Sequence, residues 1–296
     1  MQIFLTGATG FIGSAVLAQL LGAGHQVLGL TRSQAGARVL AAAGAQPHLG
    51  DIEDLDGLRR AAASCDGVIH TAFDHNFAEF AANCQKDGRA ITALGQALMG
   101  SDRPLVIASS TAMGATKAGE PARENEFDAQ SPNPRVASER AGAALLERGV
   151  NLSVVRLSQI HNTVKQGLVT DVIDLAWHKG VSAFVDACDN CWSATHLDDA
   201  ARLFRLALEK GQPGARYHAT DEGAIPFRDI AEAVGAYLGV PTLSVARPDC
   251  AAHFGWLAAF VGKDMSASSA RTRSELDWTP TGPGLLTDIA NMAIKA

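Results

Sequence analysis

The chain has 296 residues, of which 47% are hydrophobic and 19% are charged, and its formal net charge is −6. Its size and apolar content allow a large buried core, in one big domain or two modest ones. The negative charge argues against a nucleic acid or an anionic membrane as partner, and no apolar run approaches the roughly eighteen residues of a membrane span. The five cysteines are too few and too scattered for a disulfide framework.

The N-terminal residues MQIFLTG lead directly into an apolar run, without the basic stretch that begins a signal peptide. We therefore expect a cytoplasmic protein. Residues 3–5 are predicted to form a buried strand that stops at Thr6. An apolar stripe at helical spacing follows, with Ile12, Val16 and Leu20 on one face, so the segment predicts a strand, a turn and a helix.

The turn between that strand and helix is rich in glycine. Backbone N–H groups of such a turn point at a bound diphosphate, and the helix N-terminus adds a partial positive charge. Gly7 allows the tight turn, Gly10 leaves room for the diphosphate, and Gly13 lets the helix pack closely on the strand. The other predicted ligand contacts in the turn are Thr9, Phe11 and Ile12. A glycine-rich turn without a ligand is the alternative.

The residues that follow the second predicted strand, 26–30, determine whether NAD or NADP binds. An acidic residue after this strand binds the ribose 2′-hydroxyl of NAD, whereas an arginine accommodates the 2′-phosphate of NADP. Here Thr31, Arg32 and Ser33 follow the strand, with no acidic residue in reach. The Arg32 guanidinium can donate several hydrogen bonds to a phosphate, and Ser33 can add one more. We predict NADP(H) rather than NAD(H); a solvated surface arginine is the alternative.

The next segments alternate between strands and helices. Strands are predicted at 45–49, 67–72, 104–109 and 152–157, and helices at 54–63, 77–99 and 135–148. Such alternation predicts a parallel sheet covered by helices on both faces, with ligands at the carboxyl ends of the strands. The loops expected to meet there are 7–13, 72–75, 109–111 and 158–162, together with Arg32. Further cofactor contacts are predicted at Asp51, Ile52, Thr71, Ala72, Phe73 and Ser109.

Beyond residue 162 the alternation is less regular. Helices are predicted at 168–179, from His196 onward and at 227–238, with a strand at 215–219. The predicted fold class is α/β: a Rossmann-type doubly wound parallel sheet with a smaller C-terminal substrate lobe. Residues 1–161 and 193–220 are assigned to the cofactor domain, and residues 162–192 and 221–296 to the lobe.

Several segments resemble the extended short-chain dehydrogenase/reductase superfamily, which includes sugar-nucleotide epimerases and dehydratases as well as reductases. They are TGATGFIG at 6–13, VIHTA at 68–72, IASS at 107–110, VRL at 155–157, HLDDAA at 196–201 and ELDWTP at 275–280. The resemblance implies a Rossmann-type NAD(P) domain with a C-terminal substrate lobe. Members usually carry Tyr-x-x-x-Lys on the helix after the fifth strand, and this tyrosine exchanges a proton with the substrate oxygen. Residues 131–140 contain neither residue, so the chain resembles an atypical member.

Without that tyrosine, hydroxyl and imidazole groups at the strand ends are the candidates for catalysis. Ser109 matches the family's hydroxyl position and can orient a carbonyl oxygen. His75 follows the fourth strand, with Asp74 beside it to set its charge, and His161 ends the sixth strand. Each has a structural alternative: a turn-forming hydroxyl, an exposed loop histidine and a packed histidine, respectively.

The predicted substrate contacts are Asp74, Ser110, Thr111, Asn162 and Trp177. No metal site is predicted, because His196 with the two aspartates after it offers too few convergent ligands. The Cys188–Cys191 pair lacks a second pair of ligands and is expected to have no special role.

Together these residues predict an NADP(H)-dependent oxidoreductase that transfers hydride between nicotinamide and a small carbonyl, alcohol or imine compound. A redox-silent NAD(P)-binding sensor or regulatory protein is the first alternative, and an epimerase or isomerase the second. The expected partner is a small-molecule substrate, with no nucleic acid and no membrane, and a homodimer remains open.

Overall fold

A computed structural model describes residues 1–117 and 119–293. Its strands are β1 (Gln2–Thr6), β2 (Gln26–Thr31), β3 (Gln46–Leu49), β4 (Gly67–His70), β5 (Leu105–Ser110), β6 (Leu152–Leu157), β7 (Gln159–His161), β8 (Ser182–Val185), β9 (Cys191–His196), β10 (Arg216–Ala219), β11 (Glu222–Pro226) and β12 (Thr242–Val245). Its helices are α1 (Phe11–Gly22), α2 (Gln34–Ala42), α3 (Leu55–Ala63), α4 (Phe80–Leu98), α5 (Val136–Leu146), α6 (Leu168–Lys179), α7 (Leu197–Lys210), α8 (Phe227–Leu238), α9 (Cys250–Phe254), α10 (Ala258–Val261), α11 (Ala270–Leu276) and α12 (Leu285–Ala290).

The main sheet has seven strands in the order β10-β6-β5-β4-β1-β2-β3. Every neighbouring pair in it is parallel. The chain runs outward from β1 to β3 on one side and from β4 to β6 on the other. The strand order therefore reverses between β1 and β4, where α/β sheets open a crevice at the carboxyl edge. The predicted Rossmann-type fold is confirmed.

Alternate residues of β1 show how the sheet is covered on both faces. Ile3 and Leu5 pack into an apolar cluster with residues of α1 and α7. Phe4, which points to the opposite face, packs into a second cluster with residues of α3 and α4. All three side chains are fully buried. A short run that is apolar at every position is what a strand buried on both faces requires.

Two small sheets lie in the second half of the chain and were not predicted. One has the order β11-β9-β7, and the other pairs β12 with β8. A third apolar cluster, which includes Trp192, Phe227 and Leu285, packs against them. The division into cofactor domain and lobe stays a prediction. In the part of the chain that the structure describes, no helix has the length and apolar character needed to cross a membrane.

The predicted sixth strand, residues 152–157, coincides with β6. The placement of His161 at the end of that strand is wrong, because His161 belongs to β7, in the three-stranded sheet. Ser158 marks the change of sheet. Its hydroxyl donates a hydrogen bond to the Ala219 carbonyl at 2.6 Å, at the end of the neighbouring β10. The chain then leaves the main sheet and pairs with β9.

Candidate functional site

The turn after β1 is packed so tightly at Gly7 and Gly13 that a side chain would not fit at either position. Gly7 has a φ of +71°, in the left-handed region that favours glycine. A Cβ on Gly7 would lie 2.7 Å from the Ala72 backbone nitrogen, and a Cβ on Gly13 would lie 2.0 Å from the Gly7 carbonyl oxygen. The turn therefore brings the start of α1 directly against the ends of β1 and β4.

The N-terminus of α1 is not capped by a side chain. Gly10 is the N-cap residue, no side chain caps it, and no acidic residue lies in the first turn. Thr9 is exposed, and Phe11 and Ile12 are half-buried at the opening of the helix. The first N–H groups of a helix carry a partial positive charge and suit an anion. The turn can therefore accept a diphosphate.

Arg32 leaves the end of β2 with its charge available. Thr31 is buried, whereas Arg32 is exposed, and its guanidinium forms no hydrogen bond within the described ranges 1–117 and 119–293. Ser33 caps α2: its Oγ accepts a hydrogen bond from the Gly36 N–H at 3.0 Å. The Ser33 hydroxyl hydrogen is still available to a ligand. The edge thus presents a guanidinium and a hydroxyl group side by side.

The loop after β3 contributes a short acidic segment. The Asp51 carboxylate accepts a hydrogen bond from the Glu53 N–H at 2.9 Å, which fixes the turn. Ile52 packs partly into the second apolar cluster. Lys86 Nζ lies 3.5 Å from Glu53 Oε2 and 3.4 Å from Asp74 Oδ2, so it links this loop to the loop after β4.

The loop after β4 lies against the glycine turn. Thr71 Oγ1 donates a hydrogen bond to the Thr6 carbonyl at 2.8 Å. The Phe73 and His75 rings meet edge to face, with centroids 5.2 Å apart. The pKa of His75 lies below its usual value, because removal of part of the ring from water and the cations Lys165 and Arg135 disfavour the imidazolium.

Asp74 interacts mainly with groups other than His75. Its carboxylate accepts a hydrogen bond from the Asn76 N–H at 3.1 Å and contacts Lys86. The Asn76 hydrogen bond is the largest influence on the pKa of Asp74, which is lowered. The Asp74 charge raises the pKa of His75 less than the other groups lower it. Asp74 therefore modulates the charge of His75 without determining it.

The hydroxyl cluster after β5 is mostly engaged with backbone. Ser110 Oγ accepts a hydrogen bond from the Ala112 N–H at 3.3 Å, and Thr111 Oγ1 donates to the Leu157 carbonyl at 3.4 Å. Ser109 is buried, and its Oγ has no hydrogen-bond partner of good geometry among the described residues. It lies close enough to the Glu139 carboxylate to help lower its pKa. Of the three hydroxyls, Ser109 is the one without a backbone hydrogen bond among the described residues.

His161 lies on β7, which is separated from the end of β6 by Ser158. Its side chain is fully buried, and Nδ1 lies 2.6 Å from Asp288 Oδ2 on α12. Burial lowers its pKa despite the Asp288 contact. These contacts favour the packed histidine of the two alternatives. His161 belongs to β7 and not to the sixth strand, because the chain changes sheet at Ser158, and its catalytic role stays a prediction.

Asn162, a predicted substrate contact in the loop after β7, forms hydrogen bonds within that loop. Asn162 Oδ1 accepts hydrogen bonds from the Val164 N–H at 2.8 Å and the Lys165 N–H at 3.0 Å. Lys165, which was not predicted, places its Nζ 5.8 Å from the centre of the Phe11 ring at the start of α1. Trp177 lies on α6 with 67% of its surface exposed. Lys165 therefore adds a positive charge beside the glycine turn.

Two further residues missed in the sequence stand at the start of α5. Arg135 precedes the helix, and Glu139 lies one turn further on, so they share the four-residue spacing of the missing Tyr-x-x-x-Lys pair. Glu139 accepts hydrogen bonds from Arg156 at 2.8 Å and from Arg216 at 2.9 Å. Burial raises the pKa of Glu139, but these arginines outweigh it, and the net pKa is lowered. The i, i+4 spacing was the available signal.

The described residues contain no group of three or more histidine, cysteine or acidic side chains arranged to hold a metal ion. His196 instead caps α7, where its Nδ1 accepts a hydrogen bond from the Asp198 N–H at 3.3 Å.

The parallel sheet, the reversal of strand order and the glycine turn at the end of β1 are typical of a dinucleotide-binding α/β protein. The chain belongs to the NAD dependent epimerase/dehydratase family, whose model matches residues 3–219. The resemblance to the extended short-chain dehydrogenase/reductase superfamily is thereby confirmed.

Similar proteins cover almost the whole chain. The uncharacterized protein C2A9.02 of Schizosaccharomyces pombe is 44% identical over 294 residues, 99% of each chain. The uncharacterized protein YLL056C of Saccharomyces cerevisiae is 40% identical over 300 residues, 100% of each chain. A more distant relative, sterol-4-alpha-carboxylate 3-dehydrogenase (decarboxylating) of Dictyostelium discoideum, is 27% identical over 246 residues, 77% of this chain and 73% of that protein.

Solved structures share the fold. The crystal structure of gox2253 has a TM-score of 0.78 at 23% identity and covers 97% of this chain and 95% of its own. DesIV of Streptomyces venezuelae, a dTDP-glucose 4,6-dehydratase solved with NAD and TYD bound, has a TM-score of 0.77 at 20% identity. The match covers 99% of this chain and 95% of the DesIV chain.

Proposed function

We propose that this protein is an NADP(H)-dependent reductase of a small carbonyl or imine compound that works without the Tyr/Lys pair. One observation carries the proposal. The glycine turn and the exposed Arg32 guanidinium lie at the carboxyl edge of the same parallel sheet, where one dinucleotide can contact both. The relative named sterol-4-alpha-carboxylate 3-dehydrogenase supports redox chemistry on such a scaffold.

The residues present fit the cofactor. Gly7, Gly10 and Gly13 with the uncapped start of α1 would hold the diphosphate, and Arg32 with Ser33 the 2′-phosphate. Asp51 and Ile52 would border the adenine, and residues 71–73 the nicotinamide half. Bound NADPH supplies a hydride to the substrate carbon.

The substrate oxygen requires a hydrogen-bond donor and a source of protons. Ser109 lies near the end of β5, where its buried hydroxyl is beside the Glu139 carboxylate, and His75 lies in the exposed loop after β4. The lowered pKa of His75 makes its protonated form a stronger acid than a free histidine. We therefore assign the oxygen contact to Ser109 and the proton to His75; the buried His161 has no part in this step.

A panel experiment tests the activity. Purified protein is mixed with NADPH or NADH and with aldehydes, ketones and imines, and the loss of absorbance of the reduced cofactor is followed. We expect consumption of NADPH by at least one class of compound, faster than with NADH. Tight NADPH binding with no consumption by any compound would contradict the reductase proposal.

The Arg32→Asp variant tests the cofactor assignment. A lost charged hydrogen bond should weaken NADPH binding roughly tenfold or more, with little change for NADH, as measured by fluorescence titration. The matched control is Arg148→Asp, an exposed arginine in the connection from α5 to β6, at the opposite edge of the sheet. Unaltered NADPH affinity in Arg32→Asp would refute the assignment.

A second candidate is a redox-silent NADP(H)-binding sensor. The observation that favours it is the engagement of Ser110, Thr111 and Asn162 with their own backbone, which leaves few groups to handle a substrate. Tight binding without turnover in the panel experiment is its expected signature. An epimerase or isomerase is weaker, because those reactions rely more heavily on the absent tyrosine. We further propose a cytoplasmic location and a small-molecule partner, with no nucleic acid and no membrane.

A further inference from the structure

We propose that Arg135 holds the reacting oxygen of the substrate and stabilises the negative charge that develops on it during reduction. This inference rests on the proposed reductase function. To the oxygen contact proposed for Ser109 it adds a second donor, an arginine at the start of α5, in the role of the absent tyrosine.

Arg135 bridges the ends of two strands at the carboxyl edge. Its Nη2 donates a hydrogen bond to the Ala108 carbonyl at 2.9 Å, near the end of β5. Its Cζ lies 4.3 Å from the centre of the Phe73 ring, in the loop after β4. One face of the guanidinium is thus covered by the phenyl ring, and a ligand must approach its N–H edges. These strand ends border the crevice in which the nicotinamide half is proposed to bind.

A buried carboxylate fixes the position and charge of Arg135. Arg135 Nη1 donates to Asp87 Oδ2 at 2.6 Å and also to the Ser138 hydroxyl. Asp87 in addition accepts hydrogen bonds from Ser138 at 2.5 Å and pairs with His70 at 3.0 Å. Burial raises the pKa of Asp87, but Arg135 and His70 hold it well below its usual range. Asp87 therefore stays ionised and keeps the guanidinium in one orientation.

Arg135 has donors left over. Its Nη1 hydrogens are engaged with Asp87 and Ser138, and one Nη2 hydrogen with Ala108. The N–H on Nε and the second Nη2 hydrogen have no acceptor among the described residues. The side chain is only 11% exposed. Nε is not a buried atom without a partner, so water reaches it, and a substrate oxygen can take the place of that water.

The chemistry differs from that of tyrosine in one respect. Hydride addition forms a C–H bond, breaks the π bond of the carbonyl group and places its electron pair on oxygen, while the cofactor is oxidised. Arginine remains protonated at all ordinary pH values, so it cannot give a proton to that oxygen. Arg135 contributes hydrogen bonds and charge, and the proton comes from His75.

Two variants test the proposal. Arg135→Gln removes the charge, and Arg135→Lys keeps a cation beside Asp87 but loses the planar fork. With the best carbonyl compound from the panel, we expect kcat to fall roughly 100-fold in Arg135→Gln and about tenfold in Arg135→Lys, with KM nearly constant. NADPH affinity should be unchanged in both. The control Arg148→Gln should behave like the wild type.

An equilibrium measurement separates this inference from the proposed function. Acetate, whose carboxylate stands in for the charged oxygen, is titrated into NADP⁺-saturated protein by calorimetry. We expect the wild type to bind acetate and Arg135→Gln to bind it at least about tenfold more weakly. A wild type that reduces no carbonyl compound but shows this difference would contradict the reductase function alone.

Three results would overturn the role of Arg135. One is an unchanged kcat in both variants of an active enzyme. Another is a rise in KM with constant kcat, which would make Arg135 a clamp for a remote carboxylate of the substrate. The third is acetate binding that is absent from the wild type or identical in Arg135→Gln.

Discussion

The two halves of the carboxyl edge of the main sheet use their polar groups in opposite ways. In the β1–β2 half, the start of α1 has no side-chain cap, and Arg32 is exposed without a hydrogen bond among the described residues. In the half next to α5, Glu139 and Arg156 are fully buried and paired with each other. The first half keeps its donors for a ligand. The second uses most of its charged groups for internal contacts, and Arg135 at the start of α5 is its exception. Ligand affinity and folding stability should therefore respond to different mutations.

The largest expected effect is on stability, from Glu139→Gln. This change leaves the Arg156 guanidinium buried with only a neutral partner, which typically costs about 3–5 kcal/mol in the free energy of unfolding. Urea denaturation measures the loss, and the folded protein should retain its NADPH affinity. The control is Glu147→Gln, an exposed residue at the end of α5. A loss no larger than that of the control would show that the buried pair does not support the fold.

A pH dependence is the next largest effect. Burial and the Arg156 charge lower the pKa of His218 from 6.5 to about 3. Between these pH values His218 is protonated in the unfolded chain but neutral in the native protein. Its contribution to the free energy of unfolding is therefore complete above pH 6.5 and is lost as the pH falls toward 3. The slope contributed is at most about 1.4 kcal/mol per pH unit.

Urea denaturation at several pH values between 7 and 4 measures that slope. We expect His218→Gln to flatten it, whereas His178→Gln, at an exposed position on α6, should keep the wild-type slope. Parallel curves for the wild type and His218→Gln would mean that other groups cause the acid sensitivity. The glycine-turn half contains no comparably buried histidine–arginine contact among the described residues. The predicted pH dependence of stability therefore arises in the half next to α5.

The smallest expected change in free energy comes from Gly13→Ala. The new Cβ would lie 2.0 Å from the Gly7 carbonyl oxygen, so the turn must shift, at a cost of about 1–3 kcal/mol. Much of that cost should appear as weaker NADPH binding, about tenfold or more. Gly22→Ala, on the same helix, places its Cβ where no atom lies within 4 Å and serves as control. Equal NADPH affinities in the two variants would contradict the assignment of the glycine turn to the NADPH site.

The main sheet could be predicted because its signals are local. The apolar run at residues 3–5 and the stripe from Ile12 to Leu20 each reflect one element and the face it buries. The small sheets escaped prediction, because strands such as β8 and β12 have four residues each and owe their existence to pairing with each other. Neither segment has a periodic pattern that would predict the pairing of β8 with β12.

The candidate site was predictable only where backbone conformation dictates the residue. Gly7 and Gly13 are required by geometry that the sequence pattern already implies. Arg135 and Asp87 are 48 positions apart, and their ion pair becomes visible only when α4 and α5 are packed together. The sequence did not reveal that His161 lies in β7, for the same reason: the change of sheet at Ser158 becomes visible only when β7 pairs with β9.

The position of β10 has a consequence for synthesis. This strand completes the main sheet by pairing with β6, yet it follows β7, β8 and β9 in the chain. A nascent chain that ends before residue 216 therefore leaves β6 as an open edge, with hydrogen-bonding groups that another chain can pair with. Once residues 216–219 have left the ribosome, β10 can cover β6 and become the edge strand, where the His218 N–H donates a hydrogen bond to Thr272 Oγ1.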